Sequence, residues 1–341
     1  MRAAAITAHG GPQVVKVLDL PKPEPGPGEV RLAVRAAALN HLDLWVRRGL
    51  PGLDVPFPHV GGSDFAGTVD AVGPGVSGPS EGDRVLVNPS LWCGECEFCR
   101  KGEESLCVAF RIIGEHVPGG LAEYAVVPAR NVLAIPHGLS FEAAAAVPLV
   151  YQTAWRALAR ARLAEGETIL VLGASGGVAT AAIQIAKSRG ARVFALTRGK
   201  EKVERIRALG ADEVIDRSKE DFPQVVWERT GKRGVDVVLE NVGEATWKGS
   251  LRSLARGGRL VTYGATTGPL GEVDIRLIFW KQLEIVGSTM SSKREFEAAM
   301  AKVFDGTLKP VIDVAWPLER ATDAHERLER GEQVGKIVLT I

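Results

Sequence analysis

Cys93, Cys96, Cys99 and Cys107 lie within fifteen residues, spaced C-x2-C-x2-C-x7-C, and they are the only cysteines of the chain. Four thiolates on one short loop can close a tetrahedral shell around Zn2+ with no position left open, the arrangement of a structural metal rather than a catalytic one. The plain alternatives are two disulfides or four unrelated thiols. Disulfides need an oxidising compartment, and Met1–Thr7 leads straight into polar and turn residues rather than into the apolar core of a secretory leader. The expectation is a cytoplasmic protein carrying one Zn2+ per chain. The segment around the cysteines is polar (Glu95, Glu97, Arg100, Lys101, Glu103, Glu104), so it has little core of its own and a metal would supply its order.

A second constellation is the turn Gly173-Ala174-Ser175-Gly176-Gly177-Val178-Ala179, set between the apolar run Ile169–Leu172 and a helical pattern over Thr180–Arg189. Glycines let the backbone turn sharply and come close to a pyrophosphate, whose charge then sits on the free N–H groups opening the helix. The bland reading is a tight turn with no ligand. The next strand, Arg192–Leu196, ends in Thr197-Arg198-Gly199-Lys200-Glu201-Lys202. A site for NAD carries an acidic residue there for the ribose hydroxyls; here cations stand in its place. A 2′-phosphate would be met by Arg198, with Thr197 hydrogen-bonding and Lys200 or Lys202 adding charge, which favours NADPH over NADH. Solvated residues opening a surface helix would look the same.

These groups need a scaffold. The chain has 341 residues, 45% of them hydrophobic, enough for two domains. A net charge of +1 gives no broad basic field for nucleic acid. The greasiest stretch, Ala143–Val150, is interrupted by Pro148 and is too short to span a membrane. To about residue 130 the pattern is short strands such as Val30–Val34 and Arg84–Val87 between Pro/Gly clusters. From Ser140, a plausible N-cap, helices appear, including one expected over Thr153–Arg162. Strands at 169–172, 192–196, 213–215, 235–239 and 260–263 then alternate with helices, which predicts a parallel sheet covered on both faces. The tail, with Val314–Trp316 and Lys336–Ile341, returns to the style of the first part and is expected to complete it. The apolar strand Leu283–Gly287 near the sheet's end suggests edge-to-edge pairing into a homodimer or homotetramer.

This layout resembles the medium-chain dehydrogenase/reductase family, which includes zinc alcohol dehydrogenases and quinone oxidoreductases. The resemblance spans nearly the whole chain. It is carried by the cysteine lobe, by Gly62-Ser63-Asp64-Phe65-Ala66-Gly67, by Gly119-Gly120-Leu121-Ala122-Glu123-Tyr124 and by the Gly173–Val178 turn. It implies an α/β fold: a GroES-like β-rich catalytic domain at 1–130 and 306–341, with the zinc lobe at 91–108, and a Rossmann doubly wound parallel sheet at 131–305. It also implies that His41 touches the cofactor's pyrophosphate, and Thr153 and Gly264 join the expected nucleotide-binding set.

The departures are informative. Zinc alcohol dehydrogenases resembling this chain hold a second, catalytic zinc through Cys, His and Cys. Those positions fall on Asn40, Ser63 and Leu149, and the proton-relay hydroxyl falls on Leu42. An amide, a hydroxyl and a hydrocarbon do not make a zinc site. The resemblance to the quinone oxidoreductase branch, whose Asn-x-x-Asp segment matches Asn40 and Asp43, implies hydride transfer from NADPH to a quinone or an α,β-unsaturated carbonyl without a catalytic metal. Asn40, Asp43 and Asp64 are then the candidate catalytic residues. Each has a plainer role: Asn40 as the cap of a helix starting at His41, Asp43 as a supporting residue, and Asp64 as the partner of Arg47 or Arg48. Two rival functions stand beside this one. One is an alcohol dehydrogenase whose second zinc uses Asp64, His59 and His41; the other is a non-catalytic NADP(H)-binding redox sensor.

Overall fold

Strand Glu29–Ala38 is buried along most of its length and is the spine of the N-terminal part. A run of Val, Leu and Ala this continuous must be covered by neighbours on both sides. It pairs antiparallel with Asp64–Val72, with Tyr124–Pro128 and with Lys336–Thr340. The sheet continues through Arg84–Val87 and Val132–Ala134 on one side and through Ile312–Pro317 on the other. Two registers matter for the chemistry: Ala38 faces Asp64 across one ladder and Val338 across the other. The end of the central strand, the start of Asp64–Val72 and the start of the last strand therefore converge, although their residues lie far apart in sequence.

The second part is a six-stranded parallel sheet in the order 213–216, 192–197, 168–171, 235–240, 254–262, 284–287. Numbered along the chain this is 3-2-1-4-5-6, the doubly wound order expected from the alternating pattern. Its switch point lies between Thr168–Val171 and Val235–Glu240, and the fully buried residues Leu170, Phe194, Val238 and Leu260 lie in its core.

A computed structural model describes residues Met1–Ile341. They form two compact units, Met1–Leu149 with Ser292–Ile341, and Val150–Ser291. The divisions fall at 149/150 and 291/292 rather than at the 130/131 and 305/306 expected from sequence. Strand Val132–Ala134 pairs with Arg84–Val87, and helix Phe141–Ala145 packs on strands Glu29–Ala38 and Asp64–Val72, so both stay with the first unit. Helix Lys293–Phe304 belongs there too. Change of pattern in a sequence marks where element types change, not where packing changes. Ser140 does cap its helix, its hydroxyl accepting from the Ala143 N–H at 3.1 Å. The helix expected from Thr153 begins instead at Pro148 and ends at Arg160; proline is tolerated in a first turn because its missing N–H would be unpaired there. No helix is long and apolar enough to cross a membrane.

Candidate active site

The three converging strand ends build a buried polar cluster in the first unit. Asn40 follows the central strand, Asp64 opens Asp64–Val72, and Lys336 opens Lys336–Thr340. Their exposures are 6%, 0% and 3%. The Lys336 ammonium donates to Asn40 Oδ1 at 2.6 Å and to Asp64 Oδ2 at 2.8 Å. Asn40 Nδ2 donates to the same Asp64 oxygen at 2.9 Å. Asp64 Oδ1 accepts from the backbone N–H of Leu149 at 2.7 Å. The partner expected for Asp64, Arg47 or Arg48, is thus replaced by Lys336; both arginines pair with Glu329 instead. Lys336 was not among the candidate residues. Its motif is one cation before an apolar strand, and nothing local tells that it points inward.

Asn40 does stand at the N-cap of helix His41–Arg48, but its side-chain amide is committed to Asp64 and Lys336. The capping carboxylate is that of Asp43, which accepts from the Asn40 N–H at 2.7 Å and from the Gly62 N–H at 2.9 Å. Gly62 has φ +89°, and a Cβ there would lie 2.7 Å from the Leu121 side chain, so only glycine offers its N–H to Asp43 in this way. Asp43 therefore ties the segment after the central strand to the segment before Asp64.

Burial pushes the Asp43 carboxyl up to about 6 against the pull of its two N–H donors. Burial, with the Asp43 charge second, pushes Glu115 up to about 7. A carboxyl with a raised folded pKa binds its proton more tightly when folded, so its stabilising contribution is complete below about pH 4 and fades as pH rises through the folded value. Unfolding free energy is therefore expected to fall as pH rises from about 4 to about 6, by roughly 2–3 kcal/mol for Asp43 at 1.36 kcal/mol per unit. Denaturant titrations across this range would check it. Asp43→Asn should flatten the slope, and an unchanged slope would mean that Asp43 ionises normally.

The residues at the positions of a catalytic zinc do not fit one. Asn40 offers a committed amide, Leu149 contributes only its backbone N–H, and Ser63 is buried with no protein partner for its hydroxyl. The alternative set of Asp64, His59 and His41 is not assembled. His59 Nε2 donates to the Gly114 carbonyl at 3.1 Å, and His41 packs edge-on against Trp45. The only group of three or more His, Cys, Asp or Glu side chains with ligand atoms close together is the four cysteines. Burial, with the Arg48 charge second, lowers His41 to about 4. Its buried Nε2 has no protein partner.

In the lobe, the four Sγ atoms lie within 4.8 Å of one another, with Cys93–Cys99 at 3.8 Å and Cys96–Cys99 and Cys93–Cys107 at 3.5 Å. Zinc–sulfur bonds of about 2.3 Å at tetrahedral angles require sulfur separations of about 3.8 Å, whereas a disulfide needs about 2.05 Å. The geometry fits Zn2+ held by Cys93, Cys96, Cys99 and Cys107. Backbone N–H groups point at the sulfurs, from Cys93 and Ala109 to Cys107 Sγ and from Glu95 and Cys96 to Cys93 Sγ. The two at Cys93 favour the thiolate form that a metal binds.

In the second unit the glycine turn follows strand Thr168–Val171 at the switch point. Gly173 has φ +56°, and a Cβ would sit 2.8 Å from Asn241 Oδ1 at the end of the neighbouring strand. Helix Gly177–Ser188 opens just beyond, capped by Gly176, with Ser175, Gly177 and Val178 partly exposed at its mouth and Ala179 fully buried. Free N–H groups at such a helix start suit a pyrophosphate. Gly264 lies against the Asn241 backbone, and Thr153 is buried with its hydroxyl 3.8 Å from Met290 Sδ.

Thr197 is buried at the end of Arg192–Thr197, Arg198 is exposed, and Lys202 is partly buried in helix Lys200–Ala208. Thr197 pairs with Asp216 of the adjacent strand, so Arg217 follows directly beside Arg198. Arg217 is a residue that sequence reasoning missed, because only the strand register brings it there. Burial, with the Arg198 charge second, lowers its pKa. The nearby Asp216 carboxylate is occupied by Gly199 and Ser218.

Comparison with known proteins agrees with this layout. The pattern of the alcohol dehydrogenase GroES-like domain matches residues 26–137, and that of the zinc-binding dehydrogenase matches residues 177–305. An acryloyl-coenzyme A reductase of Metallosphaera sedula is 37% identical over 98% of this chain and 99% of its own length. The human quinone oxidoreductase is 31% identical over 100% and 98%. The crystal structure of an NAD-dependent alcohol dehydrogenase superimposes with a TM-score of 0.95 at 46% identity, covering all of both chains. Both domain patterns match and these relatives span nearly the whole chain, and the chain belongs to the medium-chain dehydrogenase/reductase family of NAD(P)-dependent enzymes.

Proposed function

We propose that the chain reduces α,β-unsaturated carbonyls or quinones with NADPH and without a catalytic metal. The observation that carries this reading is the buried Asn40–Asp64–Lys336 cluster, an organic hydrogen-bonding site at the place where zinc-dependent relatives need soft ligands. Oxidising an alcohol requires something to stabilise the alkoxide, commonly a Lewis acid. Reducing an electrophilic double bond requires only a donor for the oxygen that gains charge. The nicotinamide supplies the hydride when the dinucleotide is bound. As hydride reaches the β-carbon, the electron pair moves to the carbonyl oxygen. Asn40 Nδ2, with one N–H spent on Asp64, has a second to donate to that oxygen, and the proton that completes the product comes from water. The relative named acryloyl-coenzyme A reductase acts on an α,β-unsaturated thioester, which supports the same class.

The test combines metal content with turnover. One zinc per chain, with NADPH consumed by 2-cyclohexenone or 1,4-benzoquinone and no oxidation of simple alcohols, is expected. Two zincs per chain with alcohol oxidation would overturn the reading. NADPH binding without turnover of any acceptor would favour the sensor instead.

The preference for NADPH rests on Arg198 and Arg217, neighbouring cations at adjacent strand ends, with the Glu240 charge acting on Arg217 less than burial and Arg198 do. A charge-assisted contact is worth about 1.5–3 kcal/mol. Arg198→Ala and Arg217→Ala are each expected to weaken NADPH about tenfold or more, leaving NADH nearly unchanged, as read by fluorescence titration. Equal losses for both nucleotides would argue against a 2′-phosphate contact.

The outer strand Glu284–Gly287 leaves one edge of the parallel sheet unpaired. Ile275, Phe279, Trp280 and Ile285 are exposed on or near it. Edge pairing with a second copy would cover both. Light scattering is expected to give at least twice the mass of one chain, and Ile285→Lys should lower it; a monomeric wild type would rule this out.

A further inference from the structure

We propose that Lys336 is a positioning residue for Asn40. Its ammonium locks the side-chain amide in one orientation and strengthens the N–H left for an acceptor's oxygen. The inference rests on the reading of Asn40 as that donor. An asparagine amide has nearly the same shape either way round, and only its partners decide which end faces where. Here Oδ1 faces a cation at 2.6 Å and Nδ2 faces a carboxylate at 2.9 Å. A flip would set the NH2 group against an ammonium and the carbonyl against a carboxylate, two repulsions in a buried site. One orientation survives, and in it the second N–H of Nδ2 has a fixed direction. A cation on Oδ1 also draws electron density through the amide and makes that N–H a better donor. Hydrogen-bond chains polarise one another in this way where the local dielectric is low. Lys336 reaches Asn40 from 296 residues away because its strand lies beside the central one, with Val338 opposite Ala38.

The plainer role is that Lys336 merely neutralises Asp64, with which it forms a buried ion pair. The two roles separate when both charges are removed together. Asp64→Asn keeps a carbonyl to accept from Asn40 Nδ2, and adding Lys336→Met removes the cation without leaving a buried charge alone. The chain has four asparagines, so selective 15N labelling of asparagine side chains gives four NH2 pairs, with Asn40 assigned by its loss in Asn40→Asp.

In the wild type the Asn40 pair is expected to be well resolved and slow to exchange with solvent. In the double variant it should exchange at least tenfold faster than in Asp64→Asn alone. With 2-cyclohexenone or 1,4-benzoquinone as acceptor, kcat of the double variant should fall at least tenfold below that of Asp64→Asn. KM and the NADPH Kd should shift far less, and Lys336→Arg should recover part of the loss relative to Lys336→Met. A ratio near one in both exchange and kcat would reduce Lys336 to a counter-ion and overturn the proposal. An Asn40 pair that exchanges like an exposed amide in the wild type would also overturn it. If the wild type turns over no acceptor, the functional reading falls, while the exchange data still decide whether Lys336 holds the amide.

Discussion

Asp64→Ala is expected to destabilise the first unit by about 3–5 kcal/mol, the cost of removing one partner from a buried ion pair. Asp64 is wholly buried and gathers three donors, the Lys336 ammonium, the Asn40 amide and the Leu149 N–H. Alanine would leave the Asn40 Nδ2 and the Leu149 N–H without this acceptor and the Lys336 ammonium, still bonded to Asn40 Oδ1, without a counter-charge. The loss therefore exceeds what a missing surface ion pair would cost, about 0–1 kcal/mol. Lys336→Met placed on top of Asp64→Ala should recover part of it, because the uncompensated charge is then gone. Urea denaturation of the single and double variants measures this directly. A loss below about 1 kcal/mol for Asp64→Ala would mean that water reaches the cluster and that its low exposure overstates its isolation.

Asn40→Ala should leave the fold and the metal content in place and cut kcat for enone or quinone reduction by about 10²–10³, the range for loss of one oxyanion donor. The Asn40 amide does not ligate the cysteine lobe and is not among the nucleotide-binding candidates, so one zinc per chain and an unchanged NADPH Kd are expected. The capping carboxylate of helix His41–Arg48 belongs to Asp43 and stays bound to the residue-40 N–H, so the helix start should survive the change. If the variant lost a metal as well as activity, Asn40 would be part of a zinc site. If kcat stayed within a fewfold of the wild type, the oxygen that gains charge would be held elsewhere, with the unpartnered Ser63 hydroxyl the next group to replace.

Much of the site was legible locally. The cysteine lobe and the glycine turn are each contained in one short segment, where spacing alone brings chemistry together. Asn40, Asp43 and Asp64 were recognisable as residues, but their partners were not. The partner expected for Asp64 was Arg47 or Arg48, and the strand pairing gave that place to Lys336. Asn40 stands at the N-cap as offered, and Asp43, three residues on, holds its N–H, while the Asn40 amide reaches charges supplied by two other strands. Arg217 escaped notice for the same reason, since it meets Arg198 only through the Thr197–Asp216 register.

By itself the sequence pointed to the two kinds of domain, the four-cysteine cluster, the glycine turn and the amide, hydroxyl and hydrocarbon at Asn40, Ser63 and Leu149. All of these depend on residue type and short spacing. Tertiary structure alone decided where the units divide and which residue neutralises Asp64. It also fixed which way the Asn40 amide points and which second cation stands beside Arg198. Those outcomes depend on which strands lie side by side and in what register. That is set by burial of the whole sheet and leaves no mark within any single segment.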